Sequence, residues 1–351
     1  MVDDAPSFVC RFDPGMTTRP NHALIFYLVR PMRMCLAIIC ILACFTVGKA
    51  TSAADLIEVN ADSRKGFEFP YVLFVPKQVE GSASQHLLIE PNNTGVVDDN
   101  LEVHRAAAIH AAMESGVGHA VAKHLGMPLL VPIFPRPKSM EDVYTHSLDR
   151  DTILIQAGPL HRIDLQLIAM AEDARKRLAD LGRPVDQKFL MTGFSASGLF
   201  ANRFTFLHPD VVAAAAYGGL NGFIMVPVEE MRSQRLEFPL GLADYKTIVG
   251  HPFDRATYSR IPQFAYMGEK DDNDAVLYDD AYPEPERSLV FDLFGRKMMP
   301  DRWSAVQAVY RQRKLPIEFK TYPGIGHGTD GKIHSEVADF FRRAIRQSPN
   351  T

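Results

Sequence analysis

The sequence predicts an α/β fold, a mostly parallel sheet covered by helices on both faces, and two observations carry that expectation. Short apolar runs alternate with amphipathic stretches of helical period along the chain. The runs are nearly continuous in apolar residues, as in strands buried on both faces, instead of alternating with polar ones. No repeat of about 20 to 50 residues and no low-complexity linker breaks the rhythm, so one domain is expected over residues 54–351.

Taken in order, a hairpin is expected within FEFPYVLFVPK (67–77). Strands are then expected at 86–91, 127–135, 188–194, 212–219, 262–268 and 316–324. Helices are expected near 103–125, 162–182, 197–207, 302–314 and 334–347. In DLQLIAMAEDARKRLADLG, residues Leu165, Leu167, Ile168, Ala171, Ala174, Leu178 and Leu181 fall mostly on one stripe, and Gly182 stands where a C-cap would. The stretch 221–261 is too long and irregular for an ordinary connection, and reads as a lid-like insertion or pocket wall.

The chain has 351 residues, 46% hydrophobic and 23% charged, which fits a globular protein. All four cysteines (Cys10, Cys35, Cys40, Cys44) lie near the N-terminus, so no disulfide is available to the expected domain. Around them, Arg30 and Arg33 precede an apolar block from Cys35 to Val47, followed by small residues ending at Ala53 and Ala54. That is the layout of an export signal, and residues 1–53 are read as an N-terminal extension plus signal peptide, with translation starting at Met32 or Met34. The block is shorter than the roughly 20 residues of a spanning helix, so a secreted or periplasmic protein without stable membrane insertion is expected. Lipidation at Cys44 is the weaker alternative, because Leu42 fits a lipoprotein box poorly. Removing residues 1–53 takes the chain from 38 basic and 42 acidic residues to 33 and 39, a net charge of −6. Nucleic acid and anionic membranes require a basic face, and neither is expected as a partner.

In open α/β sheets ligands bind beyond the carboxyl ends of the strands. There, MTGFSASG leads from strand to helix through Gly193, Phe194, Ser195, Ala196, Ser197 and Gly198, a close relative of the G-x-S-x-G nucleophile elbow with Ser197 in the second glycine position. A serine hydroxyl needs a base, and the base needs a carboxylate to orient it. Asp271 follows a later strand in GEKDDND, and His327 follows the last one in YPGIGHG, which gives the chain order Ser, Asp, His. Asp274 and Asp272 compete with Asp271 for the carboxylate role. For an oxyanion, the N–H of Ala196 at the helix start is one donor, and the loop EPNNTG offers Asn92, Asn93 and Thr94 for the other. Asn92 to Thr94 also matches a glycosylation acceptor. Tyr144 and His146, in a polar aromatic loop after a strand, are candidate substrate-binding residues.

No metal or cofactor is expected. His104, His110, His119 and His124 do not pair on one helical face, and H-E-x-x-H and G-x-G-x-x-G are both lacking. The acidic DDND cluster lacks the spacing of a calcium loop.

From about Phe67 to the end, the motifs GFSASG, GEKDDND, YPGIGHG and EPNNTG resemble those of α/β-hydrolase-fold serine hydrolases, and are similar to the secreted esterase and polyester-depolymerase-like branch. The resemblance implies a three-layer fold, Ser195 as nucleophile, His327 as general acid/base, and an acyl-enzyme formed from a small or polymeric carboxylic ester and hydrolysed by water. Ser197 in place of glycine and the lack of an HGGG loop depart from that pattern. The alternatives are a serine peptidase of the same fold and a non-catalytic binding protein retaining it.

Overall fold

The computed structural model describes residues 55–77 and 86–347. All of these belong to the unit Ala50–Thr351. The expected export signal, with Cys44, lies outside the described residues.

Strand β1 (Asp55–Val59) runs antiparallel to β2 (Tyr71–Val75), with Asp55 opposite Val75. The hairpin expected within 67–77 is therefore displaced, since only β2 falls there and its partner lies upstream. Pro70 has no N–H to place in a ladder, and Phe67 and Phe69 turn into the core before the strand begins. After β3 (Leu88–Ile89), one helix was expected over 103–125, but the chain forms α1 (Leu101–His110), a π-helical turn (Ala111–Ser115) and α2 (Val117–Leu125). The break falls at Gly116, whose backbone is extended. A Cβ there would lie 2.5 Å from Glu90 Oε2, and the same oxygen accepts the Gly118 N–H at 2.9 Å. The interruption lets α2 start on the Glu90 carboxylate, which sits at the positive end of the helix dipole.

Next come β4 (Leu129–Pro132), α3 (Arg150–Ile153), α4 (Ile163–Asp180), β5 (Phe189–Phe194), α5 (Ala196–Leu207) and β6 (Val212–Gly218). The irregular stretch 221–261 holds a small hairpin of β7 (Glu230–Met231) and β8 (Gln234–Arg235), then α6 (Tyr245–Val249) and α7 (Arg255–Tyr258). Its Phe223, Val226, Leu236, Phe238 and Leu240 are buried in the main core. Arg150 ties it down through Asp244 (2.6 Å) and Glu237 (3.0 Å). The chain closes with β9 (Gln263–Gly268), α8 (Glu284–Phe294), α9 (Trp303–Gln312), β10 (Ile317–Tyr322) and α10 (Gly331–Gln347). Helix α8 was not anticipated from sequence. Its prolines sit at the first turn, where a missing N–H removes no intrahelical bond, so they open the helix instead of breaking it.

Eight strands form one sheet in the order β1-β2-β4-β3-β5-β6-β9-β10. From β4 through β10 every neighbouring pair is parallel, and only the pairings of β2 are antiparallel. Strand pleating sends alternate residues to opposite faces. Thus Tyr71 and Leu73 join one core cluster with residues of α4, α5 and α9, while Val72 and Phe74 join a second with residues of α2 and α10. Helix, sheet and helix form three layers. Among the described residues no helix is long and apolar enough to cross a membrane.

Candidate active site

Ser195 occupies the corner between β5 and α5 with φ 63° and ψ −130°, a conformation that L-residues rarely adopt. The corner closes because Gly193 has no side chain: a Cβ there would lie 2.3 Å from the carbonyl oxygen of Ser197. Ser197, the unusual letter of the motif, has a definite task. Its hydroxyl accepts the Phe194 N–H at 2.9 Å and donates to the Phe194 carbonyl at 2.8 Å, clamping the residue just before Ser195. Ala196 begins α5, so its N–H belongs to the first turn and has no intrahelical acceptor. The Ser195 hydroxyl has no hydrogen-bond partner among the described residues.

Asp271 and His327 meet beyond the ends of β9 and β10. Nδ1 of His327 lies 3.0 and 3.1 Å from the two carboxylate oxygens of Asp271. An ionised carboxylate only accepts, so Nδ1 carries the hydrogen, and in the neutral ring Nε2 is left as an acceptor. The Asp271 side chain is fully buried and that of His327 is 25% exposed. Gly268 permits this meeting, because a Cβ on it would lie 2.3 Å from the Gly326 carbonyl oxygen in the loop that carries His327. The Lys270 N–H donates to the Ile325 carbonyl at 2.8 Å and joins the same two loops. On its other side the His327 ring packs 4.9 Å from the ring of Phe194, the neighbour of Ser195.

The other two acids of DDND separate from Asp271. Asp274 caps the turn at Ala275 through the Val276 N–H and pairs with the buried Arg302. Asp272 is exposed.

A cleft of about 300 Å³ opens at Ser195, lined by Asn93, Gly95, Arg136, Tyr144, Asn221, Asn273, Tyr278 and Asp280 among others. Of the residues singled out in the EPNNTG loop, Asn93 reaches the cleft and Asn92 does not. Asn92 is buried, and its side-chain amide spans both backbone groups of Phe134, accepting the N–H at 3.1 Å and donating to the carbonyl at 2.8 Å. Tyr144 lines the cleft, and burial raises the pKa of its phenol. His146 lies beneath it, 1% exposed, with Nε2 2.9 Å from the Phe134 carbonyl oxygen. Burial pushes its pKa down to about 3, which leaves a neutral ring that holds the loop.

No protein-family model and no curated protein matches this sequence. Among solved structures, the chain is similar to poly(aspartic acid) hydrolase-1 from Sphingomonas sp. KT-1, with a TM-score of 0.51 at 17% identity over 82% of this chain and 97% of that one. The chain has the α/β-hydrolase fold. A poly(3-hydroxybutyrate) depolymerase from Bordetella parapertussis is matched at a TM-score of 0.49 and 15% identity, over 84% of this chain and 94% of that one. In this α/β-hydrolase-fold chain, sequence reasoning missed the cleft residues Arg136, Asn221, Asn273, Tyr278 and Asp280. Arg136 and Asn221 follow β4 and β6, so their place after a strand was the available signal; nothing in the sequence marked Tyr278 and Asp280.

Proposed function

We propose that this protein is an exported serine hydrolase that cleaves a carboxylic ester through an acyl-enzyme. The observation that supports it is the Asp271–His327 hydrogen bond at the carboxyl end of the parallel strands, where Ser195 is held at positive φ after β5 and its neighbour Phe194 packs on the His327 ring. In this reading the Ser195 hydroxyl oxygen attacks the ester carbonyl carbon while His327 Nε2 takes its proton. Asp271 stabilises the resulting imidazolium and keeps the ring in the required tautomer. The tetrahedral oxyanion is met by the Ala196 N–H and by a backbone N–H of the Asn92–Asn93 loop. The proton on Nε2 then passes to the departing alkoxide as the carbon–oxygen bond breaks. Water, deprotonated by the same nitrogen, attacks the acyl-enzyme and releases the acid and free Ser195. No step requires a cofactor, and a small or polymeric ester is the substrate class.

Replacing Ser195 with Ala should abolish hydrolysis of a short-chain nitrophenyl ester, a fall of about a thousandfold or more. The same change should remove labelling by a fluorophosphonate probe. Retained turnover in the pure variant, with its fold intact, would overturn the assignment.

A further inference from the structure

Among the described residues, Arg136 is the one cationic residue lining the cleft at Ser195. It leaves β4 in FPRP, and the Asp98 N–H donates to its carbonyl at 2.9 Å. The guanidinium carbon lies 3.7 Å from the centroid of the Tyr144 ring, a stacked arrangement that fixes the plane of the fork. Its Nη2 donates to Asp280, and the side chain of Arg136 is only 12% exposed. Asp280 is held more loosely. Its side chain is 30% exposed, and it makes no other hydrogen bond among the described residues.

A guanidinium fork matches a carboxylate in shape and charge, and in a half-buried cleft the pairing is less screened than in water. The arginine is fixed by its stacking, while the carboxylate that faces it is the more exposed partner and follows the exposed Tyr278 and Asp279. We propose that Asp280 is a placeholder, and that Arg136 is a carboxylate-recognition site within the substrate cleft. The favoured substrate would then be an ester that carries a free carboxylate within reach of its scissile bond, such as a monoester of a dicarboxylic acid. On binding, the substrate carboxylate takes the guanidinium and Asp280 turns out to solvent. Exchanging one ion pair for another keeps the cleft neutral at Arg136, and the side amides of Asn93 and Asn273 remain as further hydrogen-bonding groups.

This inference deepens the hydrolase reading and rests on it for the word substrate, but its test has a part that needs no turnover. Calorimetric titration of glutarate into the Ser195→Ala protein should show binding. Arg136→Gln should weaken that binding about tenfold or more, as for the loss of a charged hydrogen bond, and Asp280→Asn should strengthen it. In kinetics, the ratio of kcat/KM for nitrophenyl hemiglutarate to that for a neutral nitrophenyl ester of equal length should fall by a similar factor in Arg136→Gln and rise in Asp280→Asn. If glutarate does not bind, or if both variants leave the ratio and the binding as they are, Arg136 is not a carboxylate site. Should Arg136→Gln fail to fold, the Asp280→Asn arm decides alone. Wild-type protein that hydrolyses neither ester would sink the hydrolase reading, and glutarate binding would still judge Arg136.

Discussion

The three aspartates of DDND differ in what a mutation should do. Asp271 faces His327, whereas Asp274 pairs with Arg302, whose side chain is 2% exposed. Removing one partner of a buried pair leaves an uncompensated charge, so Asp274→Ala should cost about 3 kcal/mol or more of unfolding free energy in a denaturant titration. Asp271→Asn should keep most of the fold and lower kcat for ester hydrolysis by several orders of magnitude, because the imidazole loses the carboxylate that orients it. Ester turnover retained by Asp271→Asn and lost by a folded Asp274 variant would reverse the two roles. Sequence alone gave Asp271 only a positional advantage, three residues past Gly268. What separates the acids is a buried arginine almost thirty residues later, which no local pattern joins to Asp274.

Elements were legible wherever one apolar run made one strand. The six runs from 86–91 to 316–324 all contain strands of the sheet; in the first five a strand buried on both faces writes its burial directly into composition, while β10 at the margin alternates apolar and polar residues. Legibility failed where a distant group intervened, as at Gly116, where Glu90 divides a helix, or where prolines obscured a helix start, as in α8. The elbow between β5 and α5 was recognised by its small residues, but the part played by Ser197 was not, since a hydroxyl bonded to the backbone three residues earlier looks like a merely tolerated substitution. Its two bonds to Phe194 give a direct expectation. Ser197→Ala should destabilise the protein by about 1 to 3 kcal/mol, by leaving the Phe194 N–H and carbonyl without that partner. The same change should lower kcat more than it raises KM, since the corner that aims Ser195 loses its clamp. An unchanged unfolding midpoint would show that the hydroxyl contributes nothing.

For the molecule as a whole, Glu90 couples stability to pH. Burial raises its pKa to about 7, against the opposing effect of the α2 amides that donate to it. Between the ordinary glutamate range and about 7, the folded protein therefore holds a proton that the unfolded chain has released. Stability contributed by this group is present at low pH and is lost as pH rises through that window. Glu90→Gln, which keeps an acceptor for the Gly118 N–H, should raise the melting temperature at about pH 8, corresponding to about 1 to 3 kcal/mol, and give little gain near about pH 4. A gain of equal size at both pH values would remove Glu90 from this account. The sheet order has a further consequence, for the sequence of events on heating. Ser195 follows the central strand β5, while His327 follows β10, which among the described residues pairs only with β9 and lies at the margin of the sheet. Margins fray first, at a cost below that of global unfolding. His327 would then part from Asp271 while the serine corner is still intact, so on the proposed mechanism heat should silence turnover at a temperature where most of the backbone remains protected from hydrogen exchange.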